Sequence, residues 1–124
     1  MKMHKSYVSI GADDWEKVIR SLSEKPDADL YLFILRSLAN AQKISYFSIA
    51  AFKGQVMHEQ DHPGRSNNQH IAQITKVIQS LSSEETIRFD DVWWCIWNVN
   101  DKAWTIGWDS FNELNKAFKN VNLD

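Results

Sequence analysis

Cysteine is almost missing from this chain: Cys95 stands alone, so no internal disulfide can form, and a reducing compartment, with the cytoplasm as default, is compatible. Glycine is sparse. Gly11, Gly54, Gly64 and Gly107 are isolated from one another, which excludes the common phosphate-cradling loops, and no G-x-S-x-G elbow is present to expose a hydrolase serine. Long apolar runs are missing as well. The longest, Leu30 to Leu35, is far shorter than the roughly 20 residues that span a bilayer, and the opening MKMHKSYVSIGADDW lacks the apolar core of a secretory signal. No membrane association is expected. Finally, the 14 Lys and Arg are scattered singly, without a basic run, in a chain of net charge −2, which argues against nucleic acid as the partner.

What the chain has in abundance is tryptophan, and in one place. Five of its six tryptophans fall in Val92 to Trp108, VWWCIWNVNDKAWTIGW. Asn100-Asp101, lying between two runs rich in β-branched and aromatic residues, reads as a tight hairpin turn, because both residue types tolerate left-handed backbone. A two-residue turn there pairs positions that sum to 201: Trp93 with Trp108, Cys95 with Ile106, and Trp97 with Trp104. Those partners share one face, and Val92, Trp94 and Ile96 share the other with Ala103, Thr105 and Gly107. Four tryptophans on one face present roughly 600–1,000 Å², at or above the largest apolar patch a soluble monomer exposes, so helices must cover most of it.

The remaining elements are read from periodicity and punctuation. Lys5 to Ile10 alternates and predicts a first strand, stopped by Gly11. Asp13 and Glu16 have capping-box spacing, and Trp15, Val18, Ile19 and Leu22 form one apolar helical stripe before Pro26. Asp27 to Gln42 suits either a buried strand or a helix, and helix is the expectation because Leu, Ala and Gln continue it. In Lys43 to Gln60, Lys53-Gly54 divides two β-rich runs and predicts a second hairpin. Asp61 to Asn68 reads as a surface loop, after which Ser66 and Gln69 cap a helix with the stripe Ile71, Ile74, Val77, Ile78 and Leu81. Thr86 to Phe89 predicts a further strand. Ser110 and Glu113 form a last capping box, with the stripe Phe111, Leu114, Phe118 and Val121 behind it. With 124 residues and ordinary globular composition (44% hydrophobic, 24% charged), residues 1–124 are expected to form one α+β domain. Its sheet should be mainly antiparallel and built from hairpins, with about four helices packed against it.

For chemistry the sequence offers little. His58, Asp61, His62 and His70 are four possible metal ligands within a short stretch, but the spacing matches no named zinc pattern, and a histidine beside Pro and Gly is more often merely solvated. No cofactor is expected. Cys95 belongs mid-strand among tryptophans, where an apolar setting keeps a thiol protonated and inert. The acidic residues come in pairs, and most of these belong to helix starts or solvated loops. Asp90 and Asp91 differ. The hairpin register carries them toward Asp109, beside Trp93 and Trp108, where a carboxylate patch next to an aromatic anchor would steer and hold a basic protein. The expected function is therefore a non-enzymatic protein-binding module, a small cytoplasmic inhibitor or immunity-type protein that neutralises a basic toxin or enzyme. The alternatives are a small-ligand domain with a tryptophan-lined pocket and a metal-dependent enzyme using the loop histidines.

Overall fold

The stripe Trp15, Val18, Ile19 and Leu22 is wound into helix α1 (Ala12–Ser23), and all four side chains are fully buried. The computed structural model describes residues 6–7, 9–54, 65–81, 92–98 and 100–121, with backbone alone described for 6–7, 65–68 and 92–93. Asp13 and Asp14 lie in the first turn of α1 and Arg20 in the last, each placed favourably against the helix dipole. The expected Asp13–Glu16 capping box does not form, because the N-cap is Gly11 and no local side chain bonds there. The acceptor comes instead from the other end of the chain, where Glu113 Oε2 takes the Ala12 N–H at 3.2 Å.

Asp27 to Gln42 resolves as helix α2 (Ala28–Ala41), burying Leu30, Tyr31, Ile34, Leu35, Leu38 and Ala39. It stops at Gln42, whose left-handed backbone (φ 66°) lets its N–H reach Leu38 O at 2.9 Å. Strand β2 (Lys43–Ser45) then leads directly into helix α3 (Tyr46–Phe52), and here the expected second hairpin is overturned. Ser45 is a helix N-cap: its hydroxyl accepts from Ser48 N–H at 3.0 Å. Gly54, at φ 76°, follows the end of α3 and is a helix stop rather than a hairpin turn. Aromatic and β-branched residues resemble a strand locally, but a cap and two alanines decide for helix.

Helix α4 (Arg65–Leu81) carries its expected stripe inward: Ile71, Ile74, Val77 and Ile78 are buried and Leu81 is partly so. It begins before the proposed Ser66–Gln69 cap, whose Ser66 side chain lies outside what is described. The strand predicted over Thr86–Phe89 also lies outside the described residues.

The tryptophan segment forms a hairpin in the expected register, but over a shorter length. Strands β4 (Ile96–Asn98) and β5 (Ala103–Thr105) pair antiparallel, with Ile96 opposite Thr105, Trp97 opposite Trp104 and Asn98 opposite Ala103. The turn is built differently: Asn98 Oδ1 accepts from the N–H groups of Asn100 (2.9 Å) and Asp101 (3.1 Å), and the left-handed residue is Lys102, φ 49°. On its other edge β5 pairs antiparallel with β2, which makes it the central strand of a three-stranded sheet. The ladder does not extend to Trp93 and Trp108. Strand β3 (Val92–Trp93) pairs in parallel with β1 (Ser6–Tyr7), the chain bends at Trp94–Cys95, and Ile106 N–H bonds to Gln42 O. Trp108 instead opens helix α5 (Trp108–Asn120).

The architecture is α+β, but its balance differs from the expectation. Five helices accompany a small three-stranded antiparallel sheet and a two-residue parallel pair among the described residues, so the sheet is an accessory and not the body. The core is mainly interhelical, with α1 packed against α2, α4 and α5. No described helix is long and apolar enough to cross a membrane.

The second capping box is reassigned by the same geometry. The N-cap of α5 is Gly107; Ser110 Oγ accepts from Ile10 N–H at 3.2 Å, and Glu113 caps α1. Glu113→Ala should therefore lower stability by about 0.5–2 kcal/mol, the range for losing a helix N-terminal acceptor, whereas Glu113→Gln, which retains an accepting oxygen, should lose less. Urea unfolding of the three proteins checks this. Equal midpoints for wild type and Glu113→Ala would show that the contact contributes nothing.

Candidate functional site

The outward position of Trp108 follows from the helix it opens. Ser110, Leu114 and Ala117 form the buried stripe of α5, and a residue two positions before Ser110 projects to the opposite side at about 100° per residue. Trp108 is accordingly 63% exposed, whereas Trp15, Trp94 and Trp104 are almost completely buried. Its ring leans on Phe111, with centroids 5.4 Å apart and planes tilted by 35°. Phe111 is half-buried and packs against the core, so the exposed indole stands on a fixed support.

Asp109 follows at the surface of the same turn. Its Oδ2 accepts a long bond, 3.4 Å, from the Ser9 hydroxyl. A groove of roughly 700 Å³ lies between Ser9–Gly11 and the side of α5 that carries Asp109, Asn112, Glu113, Lys116 and Lys119. Gly11 is extended there (φ −72°, ψ 161°), and Glu113 Oε1 receives the Lys116 ammonium at 3.4 Å. The groove thus has an acidic end near Trp108 and a basic end toward the C-terminus of α5. The expectation included neither Glu113, Lys116 nor Lys119. Their i, i+3 and i+6 spacing on a helix could have brought them forward, but only once residues 9–11 were known to lie alongside.

Of the residues expected to bind a partner, Trp108 and Asp109 share this surface. Trp93 is in β3 opposite Tyr7, and its side chain is outside what is described. Asp90 and Asp91 lie outside the described residues. The ladder expected to bring them opposite Asp109 does not form, because Val92 pairs with Ser6 and Asp109 is helical.

The histidine group is represented by His70 alone, since His58, Asp61 and His62 lie outside the described residues. Among the described residues no three His, Cys, Asp or Glu side chains gather into a metal site. His70 sits in α4 edge-on to Tyr31 of α2, ring centroids 6.2 Å apart, and its Nε2 is buried without a hydrogen-bond partner among the described residues. Burial first, and the Lys53 ammonium second, hold its pKa below the ordinary imidazole value against the opposing pull of Asp27. Cys95 is buried, and burial pushes its thiol far up, out of the nucleophilic range. The buried tryptophans pair with other rings: Trp15 meets Trp94 edge-on at 5.9 Å, and Trp104 meets the partly buried Trp97 at 4.5 Å.

No protein-family model, no curated protein and no solved structure matches this chain.

His70 makes one contribution to the pH dependence of stability. Its folded pKa lies below the unfolded value of about 6.5, so the unfolded chain binds the proton more readily. The contribution of neutral His70 is complete above about pH 6.5 and is lost as pH falls below it. His70→Phe should therefore show a shallower loss of stability than wild type between about pH 7 and pH 5 in chemical denaturation. Parallel curves for the two proteins would mean that His70 takes up its proton equally readily in the folded and the unfolded chain.

Proposed function

We propose that this chain is a non-enzymatic protein-binding module of the inhibitor or immunity type, acting in the cytoplasm, and that it docks its partner through Trp108 and Asp109. The observation that carries the reading is the exposure of Trp108. A soluble protein has little reason to leave so large a ring on a helix crest, whereas an indole fixed on a supporting phenyl ring is a typical centre for a protein interface. Its rigidity limits the side-chain entropy lost on binding. Asp109 adds a charge at the edge of this anchor, which favours a partner with a basic contact surface and speeds their encounter at low salt.

The same features favour a docking surface over a tryptophan-lined pocket. Trp15 packs on Trp94 and Trp97 on Trp104, and among the described residues no tryptophan lines the groove.

The test compares wild type with Trp108→Ala as bait in the native host. The substitution should leave folding stability within about 0.5 kcal/mol, as at an exposed position, yet weaken capture of the specific partner by about thirtyfold or more, as loss of an interface anchor does. Asp109→Asn should slow association chiefly at low ionic strength. A partner held equally by wild type and Trp108→Ala would remove this surface from the interaction.

A further inference from the structure

We propose that the groove beside Trp108 takes an extended segment of the partner carrying an arginine or lysine at the Asp109 end and, four or five residues away, an aspartate or glutamate at the Lys119 end. The inference rests on Trp108 as the docking site and narrows the partner from a basic surface to a segment with two opposite charges at a fixed spacing.

The charges on α5 set that spacing. Asp109, Glu113, Lys116 and Lys119 lie along one side of the helix and face the groove. Glu113 is already engaged, by the Ala12 N–H and by Lys116. Asp109 and Lys119 have no ion-pair partner among the described residues, and Asp109 has only the long contact from Ser9. The groove therefore keeps one open negative charge at its Trp108 end and one open positive charge at its far end.

Lys119 lies ten helical steps beyond Asp109, which at about 1.5 Å each is about 15 Å. An extended chain advances about 3.3 Å per residue, so four or five residues cover that distance. Between the two charges lies Asn112, whose amide can both donate to and accept from a passing backbone. A uniformly basic segment would gain at Asp109 but meet Lys116 and Lys119 further along. A segment of alternating sign is complementary at both ends.

Selection of random heptapeptides displayed against the full chain tests this without an identified partner. The enriched peptides should carry a basic and an acidic residue four or five positions apart. Asp109→Asn should weaken their binding roughly two- to fivefold and abolish the preference for the basic residue, and Lys119→Gln should do the same for the acidic one. Selection that yields no peptides, peptides without this spacing, or peptides indifferent to both substitutions would overturn the inference. Circular dichroism of each variant excludes unfolding as the cause. Unpatterned peptides together with loss of partner capture in Trp108→Ala would leave the docking reading standing and remove only this one.

Discussion

The edge-on contact between Trp15 and Trp94 is what the rest of this structure depends on. Trp15 is fully buried in α1, the helix that packs against α2, α4 and α5, and Trp94 reaches it from the tryptophan segment. The Trp94 indole N–H donates to Thr75 Oγ1 at 2.7 Å, and that hydroxyl donates in turn to Ile71 O at 2.8 Å. One ring therefore joins α1, α4 and the strand region, and it does so with its polar atom satisfied. Trp15 does not share that benefit: its own indole N–H is buried without a partner among the described residues, a cost of about 1–3 kcal/mol that the surrounding apolar packing must offset.

This contact also explains why the long hairpin ends early. Side chains alternate across a strand, so consecutive residues cannot both turn to the same core unless the strand is broken. Trp94 and Cys95 are both buried, and the chain bends at these two residues. With the ladder interrupted, Ile106 bonds to Gln42 through its backbone N–H and carbonyl, which ties β5 to the end of α2. Gly107 then caps a helix where the register alone would continue a strand. Trp108 is thereby moved from a covered sheet face to the crest of α5. The packing that buries Trp15, Trp94 and Trp104 is the same packing that leaves Trp108 outside.

Helical stripes were legible in the sequence because apolar period and burial agree: Trp15 to Leu22 and Ile71 to Leu81 behave as their spacing implies. The pairing of Trp97 with Trp104 was legible too, since a turn between β-rich runs fixes register locally. What escaped depends on distant partners. The spacings at Asp13–Glu16 and Ser110–Glu113 match local caps, yet α1 is capped from α5 across the length of the chain. In Tyr46 to Phe52 the β-rich composition hid a helix that Ser45 starts and Gly54 follows. The candidate site was legible in part: Trp108 and Asp109 could be named, but the groove with Lys116 and Lys119 exists only because residues 9–11 lie beside α5.

Among the described tryptophans of segment 92–108, Trp94 and Trp104 belong to the core and Trp108 is released to the surface. Hydrogen exchange of the indole N–H groups, followed by NMR and assigned by single Trp→Phe substitutions, tests this residue by residue. The Trp94 and Trp15 indoles should exchange only on global or sub-global opening, one by its bond to Thr75 and the other by burial, while the Trp108 indole should exchange at nearly the rate of a free peptide. A Trp108 indole protected as strongly as that of Trp94, or a Trp94 indole exchanging as fast as that of Trp108, would contradict the account.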